Sequence, residues 1–417
     1  MNRTRSLWPL LTALLGAALI TVPARADEPP ADLKQKILKF NSITGTEAIF
    51  QQTRDLVKDP AETKKLLKVA EEMAKADPKQ FKYTGALILA RTAGALKNYD
   101  LSLRFFKICS NFATTVKSST KLGESYGGQV GILSIMKKYA EAEKVAQAFM
   151  ELEGDEELEK EKIGMLLDYL IPAKAHQGKI AEALKMVDRL TTEFKGEWSI
   201  VQLKALVLFE AGKYDEAVKT YGEVIELLNK SDRMKPAEQE ARINRVHYIL
   251  SSVYVEMGQI DKAAGELQLL LKKKPNDPTY NNDLGYIWCD HDMNLDESEK
   301  LIRKAIEEDR KERKSDKDLS KEDDRDKAAY LDSLGWVLFK KKQYAEAKKP
   351  LLDAVKDPDD GQHIEIYDHL ADVHMALGEK AEAIAVWKKA LDMDIEGKRD
   401  QKRQQEMLKK LKAAQGK

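Results

Sequence analysis

The sequence has little cysteine, glycine, proline or aromatic content, and it has no net charge. Its 417 residues include 2 Cys, 22 Gly and 12 Pro, and aromatic residues make up 7%. Cys109 and Cys289 are too few for a disulfide framework or a cysteine-ligated zinc cluster. Lys+Arg and Asp+Glu both number 70, a balance that excludes nucleic acid as a partner bound through bulk charge. Abundant charge with few helix breakers is typical of a helix-rich chain.

Most short motifs of common catalytic and cofactor sites are also absent from the sequence. It contains no GxGxxG, P-loop, HExxH or CxxC pattern, although Gly123-Glu-Ser-Tyr-Gly127 matches GxSxG. The one histidine cluster is His363, His369 and His374. The last two are five residues apart, whereas metal ligands on one helix prefer a spacing of about three or four. We therefore predict that the protein is not an enzyme, with no catalytic residues, no cofactor and no metal site.

Residues 1–26 have the features of a signal peptide. Arg3 and Arg5 precede an apolar stretch over residues 7–22, and the small-x-small pattern of a signal-peptidase site follows at residues 24–26. The stretch contains Pro9 and is shorter than the roughly 20 apolar residues of a membrane span, so we favour cleavage over an uncleaved anchor. We expect export to the periplasm or the extracellular space, with no integral membrane segment after cleavage.

A repeated spacing of small residues dominates the rest of the sequence. Two small residues lie twelve positions apart, a large residue follows four positions later, and another apolar residue follows three positions after that. The small pairs are Ala205/Ala217, Ser251/Ala263, Gly285/Ser298 (thirteen apart), Gly335/Ala347 and Ala371/Ala383. Small residues on two successive helices allow the helices to approach closely, and the large residues fill the gaps between neighbouring pairs. Glycines such as Gly212 and Gly258 mark the end of each first helix.

This pattern resembles the tetratricopeptide repeat (TPR), a helix-turn-helix unit of about 34 residues. Ser251 and Gly285 are 34 residues apart, and Gly335 and Ala371 are 36 residues apart. The strings Tyr280-Asn-Asn-Asp-Leu-Gly-Tyr-Ile-Trp and Tyr330-Leu-Asp-Ser-Leu-Gly-Trp look like those of exported bacterial TPR proteins. The resemblance implies an all-α fold, a right-handed superhelical solenoid of antiparallel helix pairs.

The repeat pattern divides the chain into successive segments. After the signal peptide we expect an N-terminal helical cap (27–80), degenerate TPR-like pairs (81–196), well-formed TPR units (197–394) and a C-terminal capping helix (395–417). About eight helix pairs are expected from residue 81 to residue 394. The insertion at 309–327 contains eight basic and eight acidic residues, and we interpret it as a solvated helix extension and loop.

The resemblance also implies a concave groove, lined by the first helix of each pair, that binds partners. We expect residues three before and one after the small residue of each first helix, and residues one turn further, to face it. The predicted groove residues are Tyr248, Asn282, Tyr286, Asp290, Asp332, Trp336, Phe339, Asp368, Asp372 and Met375. The aromatic residues suit an anchoring surface, and the aspartates favour a basic or amide-rich segment. This departs from TPR proteins that clamp a peptide carboxylate with Lys, Arg and Asn. Alternatively, the aromatics pack between repeats and the aspartates cap or solubilise helices.

We therefore predict a non-catalytic scaffold or assembly factor that binds protein or peptide segments in the groove. Two alternatives stay open: a glycan-cleaving envelope enzyme with a buried acid of raised pKa, and an architectural protein that self-associates. Residues 27–60 are a possible internal ligand of the groove. The tail, residues 398–417, has eight basic and two acidic residues. We interpret it as an amphipathic cap, with binding to an anionic surface as a second interpretation.

Overall fold

The computed structural model describes residues 31–316, 319, 324–358, 360–393, 395 and 398–416. The predicted signal peptide lies outside these residues, as does part of the charged insertion. Within the described ranges the chain forms helices and turns and contains no β-strand. The predicted all-α class is therefore confirmed.

Short helices form the N-terminal part of the described chain. Helix α1 spans Ala31–Lys39, α2 spans Thr46–Val57 and α3 spans Pro60–Ala76, with 3-10 turns at Phe40–Ser42 and Pro78–Gln80. Helix α3 begins at a proline, as expected from the sequence, and the Asp59 side chain caps it by accepting a hydrogen bond from the Glu62 amide at 3.1 Å. These helices share one hydrophobic core with the first helix pair that follows.

Eight antiparallel helix pairs follow in the part of the chain that the structure describes. They are α4 (Tyr83–Ala95) with α5 (Tyr99–Thr115), α6 (Ser119–Ile135) with α7 (Tyr139–Met150), α8 (Glu156–Met165) and α9 (Ile171–His176) with α10 (Ile180–Glu193), α11 (Trp198–Glu210) with α12 (Tyr214–Lys230), α13 (Pro236–Glu256) with α14 (Ile260–Lys273), α15 (Pro278–Asp290) with α16 (Leu295–Ser315), α17 (Ala328–Lys340) with α18 (Tyr344–Ala354), and α19 (Ile364–Ala376) with α20 (Lys380–Leu391). A π-helical turn, Leu166–Leu170, joins α8 to α9 into one first helix. Helix α21 (Lys398–Gln415) follows the last pair.

Each helix pair packs on the pair before it and the pair after it, so the chain is a solenoid of stacked pairs. The small residues of the repeat lie where the two helices of a pair meet: Ala205, Ala217 and Ala263 are fully buried. At Gly285 a β-carbon would lie 2.8 Å from the carbonyl oxygen of Ser298 on the partner helix. The small positions therefore set the distance between the helices of a pair.

A left-handed residue ends the first helix of most pairs. Gly212 has a φ of 72°, and the Lys213 amide donates to the Leu208 carbonyl at 2.9 Å, the hydrogen bond of a Schellman turn. Lys342 occupies the same place with a φ of 65°, and the Gln343 amide donates to Leu338 at 2.9 Å. The turn is therefore kept where glycine is absent, at some cost in backbone strain.

The charged insertion is not simply solvated. Helix α16 extends to Ser315, and the Asp309 carboxylate is buried at 3% exposure. It accepts hydrogen bonds from Arg313 at 2.9 Å and pairs with Lys327 at 2.8 Å. Arg313 also contacts Asp326 at 2.8 Å. Most described residues of the insertion are exposed, and the ion-pair network joins its two described ends across the end of α16.

Candidate partner-binding surface

The first helices of the last four pairs curve toward one another on one side of the stack. The Tyr286 hydroxyl on α15 donates to Glu365 Oε1 on α19 at 2.6 Å, and it passes α17 to do so. Side chains two pairs apart meet only on the inner side of a curved stack. We call the side chains of α13, α15, α17 and α19 on this side the concave surface.

Carboxylates link each first helix of the concave surface to the next. Tyr248 on α13 donates to Asp283 on α15 at 2.6 Å. Asp290 on α15 accepts from the indole Nε1 of Trp336 on α17 at 3.0 Å. The hydrogen bonds cross between pairs, so they fix the relative positions of successive first helices and hold the curvature of the surface.

The same arrangement continues from α17 to α19. Asp332 Oδ1 lies 2.9 Å from His369 Nδ1, and both side chains are buried. Burial opposes the charged imidazole, but the Asp332 and Glu365 carboxylates outweigh it, so the pKa of His369 is raised. The imidazole Nε2 is buried and has no hydrogen-bond partner among the described residues.

The predicted groove aromatics form a stack on this surface. The Trp336 ring lies 3.9 Å from the His369 ring and 4.9 Å from the Phe339 ring, centroid to centroid, nearly parallel to both. Tyr248 packs on Tyr280 at 5.6 Å. All of these aromatic rings are at least partly covered by their neighbours, so the surface is already ordered before any partner arrives.

Asp368 and Asp372 on α19 face the C-terminal helix α21. Asp368 is 2% exposed and accepts hydrogen bonds from Trp387 Nε1 and from Lys410 Nζ, each at 3.0 Å. Asp372 accepts from the same Lys410 ammonium at 2.6 Å. Burial and the neighbouring charge of Asp368 raise the pKa of Asp372. The acidic residues predicted to attract a basic segment therefore already contact one from this chain.

The remaining predicted residues occupy less accessible positions. Asn282 is buried and donates to Asp283 Oδ1 at 3.2 Å, while its own Oδ1 has no partner among the described residues. Met375 is half-buried and packs against the core of the last pair and α21. The structure thus brings most of the ten predicted residues onto one surface, and their role in binding a partner stays a prediction.

Three residues that define this surface were not predicted from the sequence: Glu365, Arg403 and Lys410. Burial opposes the charged form of Glu365, but the guanidinium groups of Arg403 and Arg399 outweigh it and hold its pKa at about 2. Arg403 contacts Glu365 and lies 3.4 Å from Asp368. A signal was present, because Glu365 precedes Asp368 by three residues on one helix face.

An open cleft lies between α13 and α15 and has a volume of about 220 Å³. We call it the α13–α15 cleft. Its lining includes Ser252, Val255 and Glu256 of α13, Tyr286 and Ile287 of α15, His291 directly after α15, and Arg399 of α21. Apolar side chains therefore lie beside charged ones, as a site for a polypeptide segment requires.

Metal-binding and membrane-spanning features are absent from the described ranges. No group of three or more His, Cys, Asp and Glu side chains there is arranged to hold a metal ion. Cys109 and Cys289 are both buried as free thiols, and burial raises the pKa of each. No described helix is both long enough and apolar enough to cross a lipid bilayer.

Stacked helix pairs with an ordered concave surface define a helical-repeat solenoid protein. The family model of the tetratricopeptide repeat matches residues 364–394, which include α19 and α20. The last pair is therefore a tetratricopeptide repeat, and the other pairs have the same helix-turn-helix arrangement. The predicted tetratricopeptide repeat and solenoid architecture are therefore confirmed.

Several solved structures are similar to this chain at low sequence identity. A TPR protein from Parabacteroides merdae ATCC 43184 is 16% identical, with a TM-score of 0.44, over 69% of this chain and 98% of that chain. A thermophilic TPR protein of Thermus thermophilus is 16% identical (TM-score 0.37; 51% and 98% covered). MamA, residues 41 to the end, from Desulfovibrio magneticus RS-1 is 17% identical (TM-score 0.34; 46% and 92% covered). Comparison with curated proteins returned no match.

Proposed function

We propose that this protein is a non-catalytic scaffold that binds segments of partner proteins along its concave surface. TPR proteins bind protein partners and are generally not enzymes. The observation that carries the proposal is the α13–α15 cleft, which remains open on a surface that is otherwise ordered by contacts between successive first helices.

The chemistry of the cleft favours a basic or amide-rich segment with an apolar anchor. Val255 and Ile287 offer apolar surface, and the carboxylates of Glu256, Asp283 and Asp290 outnumber the one guanidinium of the lining, that of Arg399. Since the hydrogen bonds from Tyr248 and Trp336 already fix the helices, a partner would spend little free energy on ordering the surface. Complementary charge would also speed association and select the partner.

The scaffold proposal is tested by blocking the cleft in the full chain. The variant Ser252→Trp with Glu256→Arg fills part of the cleft and reverses one charge at its rim. Both positions are exposed. Gln268→Trp with Glu223→Arg makes the same changes at exposed positions of α14 and α12, the second helices. Partners captured from an extract of the source organism should fall about tenfold with the cleft variant and stay unchanged with the control.

Equal capture by wild type and both variants, with unchanged helicity and melting, would rule out the cleft as the partner site. Loss of capture by both variants would place the binding surface outside the concave side. Circular dichroism of each purified variant shows whether the fold is retained before capture is compared.

We also propose that the protein works outside the cytoplasm, after cleavage following Ala26. The support is the basic, apolar and small-x-small order of residues 1–26. Mass spectrometry of the protein isolated from its source organism should find Asp27 as the first residue. A chain that retains residues 1–26 in the soluble intracellular fraction would contradict this.

A further inference from the structure

Helix α21 presents a row of basic side chains to the acidic residues of α19. Arg399 Nη2 lies 3.0 Å from Glu365 Oε1, and Arg403 contacts the same carboxylate. One helix turn beyond Met407, Lys410 Nζ lies 3.0 Å from Asp368 and 2.6 Å from Asp372. Successive basic residues therefore meet successive acids along the two helices.

The acids that receive these contacts lie on one face of α19. Glu365, Asp368 and Asp372 are spaced by three and four residues, which places them in one line on a helix. Their side chains are 16%, 3% and 17% exposed. Three partly buried carboxylates in one line repel one another unless cations cover them, so this surface requires a basic segment.

Ion pairs contribute much of the interaction that holds α21 against α19. Of the 18 residues in the helix, the buried apolar side chains are Met407, Leu411 and Ala414. Its ion-pairing side chains differ in exposure: Arg399 is 60% exposed, Lys410 36% and Arg403 18%. The more exposed of these contacts weaken in salt. The core helix α19, by contrast, buries nine of its 13 residues.

We propose that α21 is an internal ligand of the Glu365–Asp368–Asp372 surface, and that a basic amphipathic helix of a partner protein binds there in its place. The proposal rests on the proposed scaffold function and specifies the kind of partner. The replacing helix would carry Arg or Lys at the positions of Arg403 and Lys410, with apolar side chains at the positions of Met407 and Leu411.

Continuity with the cleft supports a partner segment as the occupant. Arg399, in the first turn of α21, also lines the α13–α15 cleft. A segment bound on α19 in place of α21 therefore continues directly into the cleft of the proposed scaffold surface.

The test uses the full chain and a labelled synthetic peptide of residues 398–416. The variant Arg403→Glu with Lys410→Glu replaces both basic side chains with acidic ones, which repel the acidic side chains of α19. Lys402→Glu with Lys409→Glu makes the same charge change at exposed positions of α21. Fluorescence anisotropy measures peptide binding to wild type and to both variants, and a peptide carrying Arg403→Glu and Lys410→Glu is the negative control.

The peptide should bind the Arg403→Glu/Lys410→Glu chain about tenfold more tightly than it binds wild type or the Lys402→Glu/Lys409→Glu chain. Binding should weaken as salt rises. A folded variant that does not bind the peptide would overturn the proposal. So would a wild-type dimer that dissociates in the Arg403→Glu/Lys410→Glu chain, because the occupant would then be a second copy of α21.

Hydrogen exchange in the wild-type chain keeps the proposal testable if the charge-reversal variant unfolds. Amides of α21 should exchange about tenfold faster than those of α19. Equal protection would make α21 a permanent part of the solenoid and contradict the inference. Cleft-dependent partner capture without peptide binding would reject this inference alone, whereas peptide binding with cleft-independent capture would reject the scaffold assignment of the cleft.

Discussion

Replacing Gly285 with valine should destabilise the protein by about 3 kcal/mol. A β-carbon at this position would lie 2.8 Å from the Ser298 carbonyl oxygen and 2.8 Å from Ile302, which is fully buried. The clash with a backbone atom can be relieved only if α15 and α16 move apart. Because each pair packs mainly on its neighbours, we expect the loss to begin in this pair. Urea denaturation followed by circular dichroism measures the change.

Gly265 on α14 is the matched control. It also lies inside a helix, but it is exposed and a β-carbon there would meet no atom within 4 Å. Gly265→Val should change stability by no more than about 0.5 kcal/mol, since valine and glycine both have low helix propensity. Similar losses for the two variants would show that valine in a helix, and not the close approach of α15 to α16, explains the effect.

Lys174→Met should cost about 3 kcal/mol because it leaves a buried carboxylate without its main partner. Glu143 on α7 and Lys174 on α9 are 5% and 6% exposed, and Lys174 Nζ lies 2.7 Å from Glu143 Oε1. Lys179 also contacts Glu143, at 2.6 Å, but its side chain is 41% exposed and can return to water. Thermal and urea denaturation of the single variant give the loss.

The double variant Glu143→Leu with Lys174→Met is the control for this interpretation. With both charges removed, no buried ion lacks a partner, and apolar side chains fill the space. The double variant should therefore lose less than the sum of the two single variants by about 2 kcal/mol or more. Additive losses would mean that the two side chains stabilise the protein independently through packing.

The buried ion pair of Glu143 and Lys174 also predicts how the free energy of unfolding depends on pH. Burial opposes the charged form of Glu143, but hydrogen bonds from Lys174, Lys179 and Gln177 outweigh it and hold the pKa at about 2. In the unfolded chain this pKa is about 4.3. The folded state therefore gains stability above pH 4.3, which is lost as pH falls toward 2. The difference in the free energy of unfolding between wild type and Glu143→Gln, measured by urea denaturation, should be largest above pH 5. It should decrease as pH falls toward 2.

Residues that repeat along the chain made the fold predictable. Ala205 and Ala217 lie twelve positions apart, as do Ser251 and Ala263, and all four are buried. Glycines at the ends of the first helices indicated the turns, because a left-handed φ is easily reached only by glycine. Lys342 shows the limit of this signal, since its φ is 65° without any mark in the sequence.

The sequence predicted where the concave surface lies but not how its polar side chains pair with one another. The first-helix rule placed Asp290, Trp336 and Asp332 on one side of the stack, and they do lie there. It did not show that Trp336 donates to Asp290 or that His369 pairs with Asp332. Which polar groups pair depends on the rotation and offset of one helix against the next, and packing decides both.

Sequence alone determined the all-α class, the helix pairs and the type of repeat, because these follow from periodicity within one or two neighbouring helices. Tertiary structure alone decided that the basic tail covers the acids of α19 and that Tyr286 reaches Glu365, 79 residues away. Such contacts join helices whose separation and register are set by the summed geometry of every turn and packed pair between them. Periodicity within a single helix carries no information about that sum.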